Sequence, residues 1–160
     1  MNKILTIEQI TKISSKLHEQ NKHVVLVGGC FDILHIGHIV FLEEAKKHGD
    51  ILVALLESDK TIIAIKGNKR PFNSQEDRAK ILAALAVVDY VILLEQDMDD
   101  KIYDDLVFAL KPAIIATTSG DINRHHKERQ AKSVGAKVID VTMPISDKST
   151  TTLIHLLDEL

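Results

Sequence analysis

Two histidines three residues apart, His35 and His38, close the segment Gly28–His38, which reads GGCFDILHIGH. The apolar run His23–Val27 precedes it and reads as a buried strand. Ile39–Lys47 follows and reads as a helix. A strand, a glycine turn and a helix start make a place to hold an anion, because free backbone N–H groups and the helix dipole face it together. Positions three apart share one side of a helix, so both imidazoles can donate to phosphate oxygens there. Gly37, between them, lets a phosphate chain approach the backbone. Two other readings of the same residues stay open. The histidines can serve only as a helix cap in contact with solvent. Alternatively Cys30, Asp32, His35 and His38 can ligate a metal, although the spacing is not that of a standard zinc motif and no second ligand cluster accompanies it.

The elements that must position this segment follow from periodicity. Thr6–Gln20 carries Ile7, Ile10, Ile13 and Leu17 at helical spacing, with Thr6 as cap. Val24–Val27 is the first predicted strand. Ile51–Leu56 is the second, and its unbroken apolar character implies cover on both faces. Lys60–Asn73 is a polar, basic connection. Ser74 caps a helix through Leu85, Tyr90–Leu94 is the third strand, and Ile102–Leu110 is helical. Ala113–Ala116 is the fourth strand, Asp121–Val134 a polar helix stopped at Gly135, Lys137–Val141 the fifth strand, and Thr150–Leu160 a closing helix. Alternating strands and helices with short links predict an α/β fold. It is a Rossmann-like, doubly wound, five-stranded parallel sheet with helices on both faces, in one domain over residues 1–160. Ligands of such sheets lie beyond the carboxyl ends of the strands, where Gly28–His38, Ser58–Asn73, Thr117–Asp121 and Thr142–Thr152 converge.

Composition narrows the function classes. The chain has 160 residues, 45% of them hydrophobic, and a formal net charge of −3. A basic footprint for nucleic acid is missing, so the expected phosphate ligand is small. The single cysteine, Cys30, excludes an internal disulfide and fits a cytoplasmic location. No apolar run is long enough to span a membrane, and MNKILTIEQITK is not a secretory signal.

The segment GGCFDILHIGH resembles the H-x-G-H signature of the cytidylyltransferase-like nucleotidyltransferase superfamily. The resemblance extends through Ser58-Asp59, Lys66–Asn73, Gln75–Arg78, Ala84-Leu85, Val88-Asp89 and Ser149-Thr150-Thr151. These segments are similar to the adenylyltransferase domain of the bifunctional heptose-phosphate kinase/adenylyltransferases, and glycerol-3-phosphate cytidylyltransferases are the next-nearest pattern. The resemblance implies transfer of AMP from ATP, with Mg²⁺, to a sugar 1-phosphate such as heptose 1-phosphate, with release of pyrophosphate. It also implies a homodimer. His35, His38 and Lys66 would act on the transferring phosphates. Cys30, Phe31 and Gly37 would bind nucleotide, together with Ser149, Thr150 and Thr151. Asp32 would accept from an acceptor hydroxyl or make a turn contact, and Arg70 would grip the acceptor phosphate. Arg78 is equally an ion-pair partner within the structure. Two alternatives accompany this expectation: a cytidylyltransferase of the glycerol-3-phosphate type, and a catalytically silent nucleotide-binding regulator.

The chain departs from the heptose enzymes in the loop Thr117-Thr118-Ser119-Gly120-Asp121, which lacks their lysine and one glycine. Asn123–Gln130, with Arg124, His125, His126, Lys127 and Arg129, is also unlike them and reads as a solvated helix face or, alternatively, as a face that meets an acidic acceptor or a partner subunit. Thr142–Lys148 lacks the arginine of the glycerol-phosphate enzymes, which counts against a cytidylyltransferase.

Overall fold

A computed structural model describes residues 2–143. All strands are parallel and form one six-stranded sheet in the order β1-β4-β3-β2-β5-β6. The strands are β1 (Ile4–Leu5), β2 (Val24–Gly29), β3 (Ile51–Leu56), β4 (Tyr90–Leu93), β5 (Ile114–Thr118) and β6 (Lys137–Thr142). The helices are α1 (Ile7–Glu19), α2 (Ile36–Lys46), α3 (Asp59–Lys66), α4 (Gln75–Ala84), α5 (Asp100–Leu110) and α6 (Arg124–Val134).

The strands alternate their side chains between two cores. Val24, Leu26, Val53, Leu55, Ile92 and Ile115 face α1, α5 and α6, where Ile10, Leu17, Leu106, Leu110 and Ala131 cover them. Val25, Val27, Leu52, Ala54, Leu56 and Val91 face α2 and α4, where Phe41, Leu42, Ala45, Ala79 and Leu82 cover them. Two covered faces explain why β2 and β3 are apolar at consecutive positions.

Two expectations are corrected. The sheet has six strands rather than five, because Ile4 and Leu5 pair with Val91 and Ile92 of β4. The pairing is continued by Val91, whose N–H donates to the Lys3 carbonyl. The stretch read as an open connection from Lys60 contains α3, whose N-cap Ser58 accepts from the Thr61 N–H and whose Ile62 is fully buried. The capping expected at Thr6 is present as a reciprocal pair with Gln9. Ser74 caps α4 through the Asp77 N–H.

The chain runs outward from β2 to β3 and β4, then returns to place β5 on the other side of β2. The reversal lies between β2 and β5. Crevices form at such points, beyond the carboxyl ends of the strands.

Candidate active site

A cleft of about 360 Å³ opens at this reversal. Gly28 and Gly29 of β2, Thr117 and Thr118 of β5, and the first turn of α2 line it. Gly28 and Gly29 are strand residues, paired with Leu55 and Leu56, so the turn proper begins at Cys30. Gly29 is small for a local reason: a Cβ there would stand 3.0 Å from the Phe31 ring. Phe31 itself has φ of 44°, the left-handed region that favours glycine. Its ring is buried in the core and stands 5.3 Å from the His38 ring.

The two histidines form a capping box. His35 is the N-cap of α2, and its Nδ1 accepts from the Gly37 N–H at 3.1 Å. Nδ1 of His38 accepts from the His35 N–H at 3.4 Å. The rings lie 3.9 Å apart. An acceptor at Nδ1 carries no proton, so in both neutral rings the proton sits on Nε2. Burial lowers the pKa of both rings. For His38 it is joined by the nearness of His35 and Lys66, and the value falls to about 4. At neutral pH the pair is uncharged, with an Nε2–H on each ring as a donor. Capping and phosphate donation therefore do not compete, because they use different nitrogens.

Asp32 and Arg70 form a buried pair. The Arg70 Nε donates to Oδ2 of Asp32 at 2.5 Å, and the Phe72 and Asn73 N–H groups donate to Oδ1 at 2.7 and 3.1 Å. The Asn73 amide returns a bond to the Asp32 carbonyl. Both carboxylate oxygens are thus engaged by the Arg70–Asn73 loop. This is the turn contact among the two roles considered for Asp32. The pair leaves the Arg70 Nη2 buried without a partner among the described residues, in a side chain that lines the cleft. Arg78 is fully buried and donates to the carbonyls of Cys30, Glu57 and Asn73 and to the carboxylate of Asp59. It is the internal tie that the sequence offered as one of its roles.

Lys66 ends α3 and lines the cleft. Cys30 lines it too, and burial raises its thiol pKa, which keeps it a thiol. Among the described residues no group of three or more His, Cys, Asp or Glu side chains could hold a metal. Ser149, Thr150, Thr151 and the closing helix lie outside the described residues.

The sequence set Lys127 on a solvated helix face or, in its second reading, against an acidic acceptor or a partner subunit, and did not place it in the cleft. It reaches back into the cleft and donates to Asp121 and, at 3.1 Å, to the Thr117 hydroxyl. Burial alone would raise the Asp121 carboxyl, but Lys127 and Thr117 outweigh it and hold the group below the usual range. The loop Thr117–Asp121 lacks a lysine of its own, and α6 supplies an ammonium at its foot. The basic run over Asn123–Gln130 was the sequence signal that pointed there.

Comparison with known proteins fits this geometry. The cytidylyltransferase-like family model matches residues 26–155. The bifunctional protein HldE of Aliarcobacter butzleri is 38% identical over 156 residues, 98% of this chain and 31% of that protein. HldE of Helicobacter pylori strain HPAG1 is 45% identical over 122 residues, 76% of this chain and 25% of that protein. The chain spans less than a third of the length of these curated relatives. A lipopolysaccharide core biosynthesis protein from Thermoplasma volcanium superposes with a TM-score of 0.58 at 31% identity, covering 77% of this chain and 97% of that one. Pantoate-beta-alanine ligase from Francisella tularensis shares the fold, with a TM-score of 0.67 at 16% identity over 95% of this chain and 72% of that one. With the family model covering most of its length and a paired-histidine cleft at the sheet reversal, the chain belongs to the cytidylyltransferase-like family.

Proposed function

We propose that the chain transfers AMP from ATP to a sugar 1-phosphate, with heptose 1-phosphate as the leading acceptor, to give an ADP-sugar and pyrophosphate. The observation that carries this reading is the pair of neutral imidazoles at the start of α2, beside Lys66, whose Nδ1 atoms serve the cap and whose Nε2–H donors have no partner among the described residues. The sequence resemblance to heptose-phosphate adenylyltransferase domains and the HldE relatives support the choice of acceptor.

In this reaction an oxygen of the acceptor phosphate attacks the α-phosphorus of the nucleotide. A new P–O bond forms, the bond from the α-phosphorus to the bridging oxygen breaks, and pyrophosphate leaves with that electron pair. A phosphate monoester is already largely dianionic near neutral pH, with a second pKa of about 6, so the attacking oxygen needs no general base. The work lies in aligning two anions and stabilising charge as it moves to pyrophosphate. His35 and His38 donate from Nε2 to oxygens of the transferring group. Lys66 and Lys127 bring positive charge to either side of the Gly28–Cys30 strand end. The unpartnered Arg70 Nη2 meets the acceptor phosphate. Mg²⁺ would enter with the nucleotide and screen its triphosphate.

The test is pyrophosphate release with ATP, CTP, GTP or UTP against heptose 1-phosphate, other sugar 1-phosphates and glycerol 3-phosphate. ATP with heptose 1-phosphate is expected to be the productive pair. Release with CTP and glycerol 3-phosphate would replace the reading with a cytidylyltransferase. Nucleotide binding without turnover by any acceptor would replace it with a silent regulator. Homodimerisation belongs to the same reading, and a solution mass of twice the 17.8 kDa chain is its check.

A further inference from the structure

A second cavity, of about 440 Å³, lies on the α5 and α6 side of the sheet. It shares Gly28, Gly29, Cys30, Lys66 and Lys127 with the first cleft. The two cavities therefore adjoin at the carboxyl end of β2, and Lys66 and Lys127 line both.

Beyond the junction the chemistry changes. The floor is apolar, made by Leu26, Leu55 and Ile115. The walls carry polar groups that the fold leaves uncommitted. The Tyr103 hydroxyl donates to Oε2 of Glu57 at 2.8 Å, while Oε1 has no hydrogen-bond partner among the described residues. Burial raises the Glu57 carboxyl pKa, a sign of how little water reaches it. The His126 Nδ1 is buried without a hydrogen bond among the described residues, with the Asp100 carboxylate 3.7 Å away. The exposed Asn123 side chain, at the N-cap of α6, makes no capping bond. A buried polar atom without a partner is uncommon in folded proteins, and the one at His126 suits a ligand that completes it.

The arrangement of charge selects the kind of ligand. Among the described lining residues the lysines stand at the junction, whereas Glu57 and Asp100, the latter also paired with Arg129, stand beyond it. A phosphate is attracted to the mouth and repelled from the interior. A neutral body rich in hydroxyls fits the interior, because each hydroxyl both donates and accepts and the carbon framework covers the apolar floor.

We propose that this second cavity seats the hydroxylated body of the acceptor, a sugar or polyol phosphate whose phosphate lies in the adjoining first cleft among Lys66, Lys127 and Arg70, with Glu57, Tyr103 and His126 selecting the body. The assignment rests on the transfer reading above and names the acceptor side of the same site.

Glu57→Gln and Tyr103→Phe test it, both close in shape to the originals. With heptose 1-phosphate as acceptor, each is expected to raise its KM about tenfold, the scale of one lost hydrogen bond in a closed site, while the KM for ATP moves less than twofold. Urea unfolding of each variant checks its fold. Calorimetric titration of heptose 1-phosphate into the wild type and both variants, without nucleotide, provides a readout independent of turnover. Binding that weakens tenfold in the variants sustains the assignment even if the wild type transfers nothing, in which case the transfer reading alone falls. Turnover in the wild type with an unchanged acceptor KM in both folded variants overturns the assignment and leaves the transfer reading standing. A parallel rise in the KM for ATP also overturns it, by making the cavity part of the nucleotide site.

Discussion

Replacing His35 by asparagine and by glutamine separates the two jobs assigned to one ring. The amide of asparagine reaches about as far as Nδ1, and that of glutamine about as far as Nε2. Nδ1 accepts from the Gly37 N–H at 3.1 Å, an ordinary hydrogen bond. His35→Asn keeps an acceptor there and is among the preferred capping residues, so stability should stay within about 0.5 kcal/mol of wild type. His35→Gln loses the cap and should cost about 1 kcal/mol, or a fall of roughly 2–4 °C in Tm for a chain of this size. The rates should run the other way. Removing a donor aimed at developing charge lowers kcat by about 10²–10³, the expected loss in His35→Asn. His35→Gln retains an N–H near the Nε2 position and should fall about tenfold. Pyrophosphate release at saturating substrate and thermal melts of the same preparations give both axes. If His35→Asn turns over like wild type, or if rate tracks stability across the pair, the division of labour between the nitrogens is wrong.

Asp32→Asn should destabilise the chain by about 3 kcal/mol, because it removes the charged partner of buried Arg70 and sets an amide donor against its Nε. A loss below about 1 kcal/mol in urea unfolding would deny Asp32 its clamping role. The depressed His38 pKa makes stability depend on pH. The unfolded ring takes up a proton near pH 6.5 and the folded ring only near 4, so the contribution is complete above 6.5 and is lost as pH falls from 6.5 towards 4. The total is at most about 3 kcal/mol, and His38→Asn should flatten that part of the stability profile, as denaturation midpoints at several pH values can show. Lys127→Met should raise the KM for heptose 1-phosphate about tenfold and lower Tm by a few degrees, since it leaves the mostly buried Asp121 carboxylate without its ammonium partner. An unchanged KM would return Lys127 to a purely structural ion pair with Asp121.

The sequence made the middle of the fold plain and its margins obscure. Val24–Val27 and Ile51–Leu56 announce themselves as apolar runs because helices cover both faces. Thr6 and Ser74 are visible because capping is a local event between residues three apart. Ile4-Leu5 is too short to show any period, and only its pairing with β4 makes it a strand. α3 hid behind its charges, although Ser58 before Asp59 is a start signal. The histidine turn was legible as a motif, but the use of Nδ1 for the cap and Nε2 for the cleft is a matter of ring orientation. Pairings such as Arg70 with Asp32 and Tyr103 with Glu57 join distant parts of the chain. No local pattern encodes them, and they decide how Asp32 and the second cavity are read.

Arg78 holds Cys30, Glu57, Asp59 and Asn73 from one guanidinium, and those residues belong to the loops that follow β2 and β3 and to the loop that precedes α4. Loops tied to a common centre do not fluctuate one at a time. Opening any of them breaks bonds shared with the rest, so they should behave as a single cooperative unit of local unfolding. In hydrogen-exchange terms, the amides of Phe72 and Asn73, which donate to Asp32, should share one opening free energy with the Glu57 amide, which donates to Gly29. The rim of the cleft is then a rigid frame into which substrates fit, and its slowest motion is the loosening of the whole frame at once.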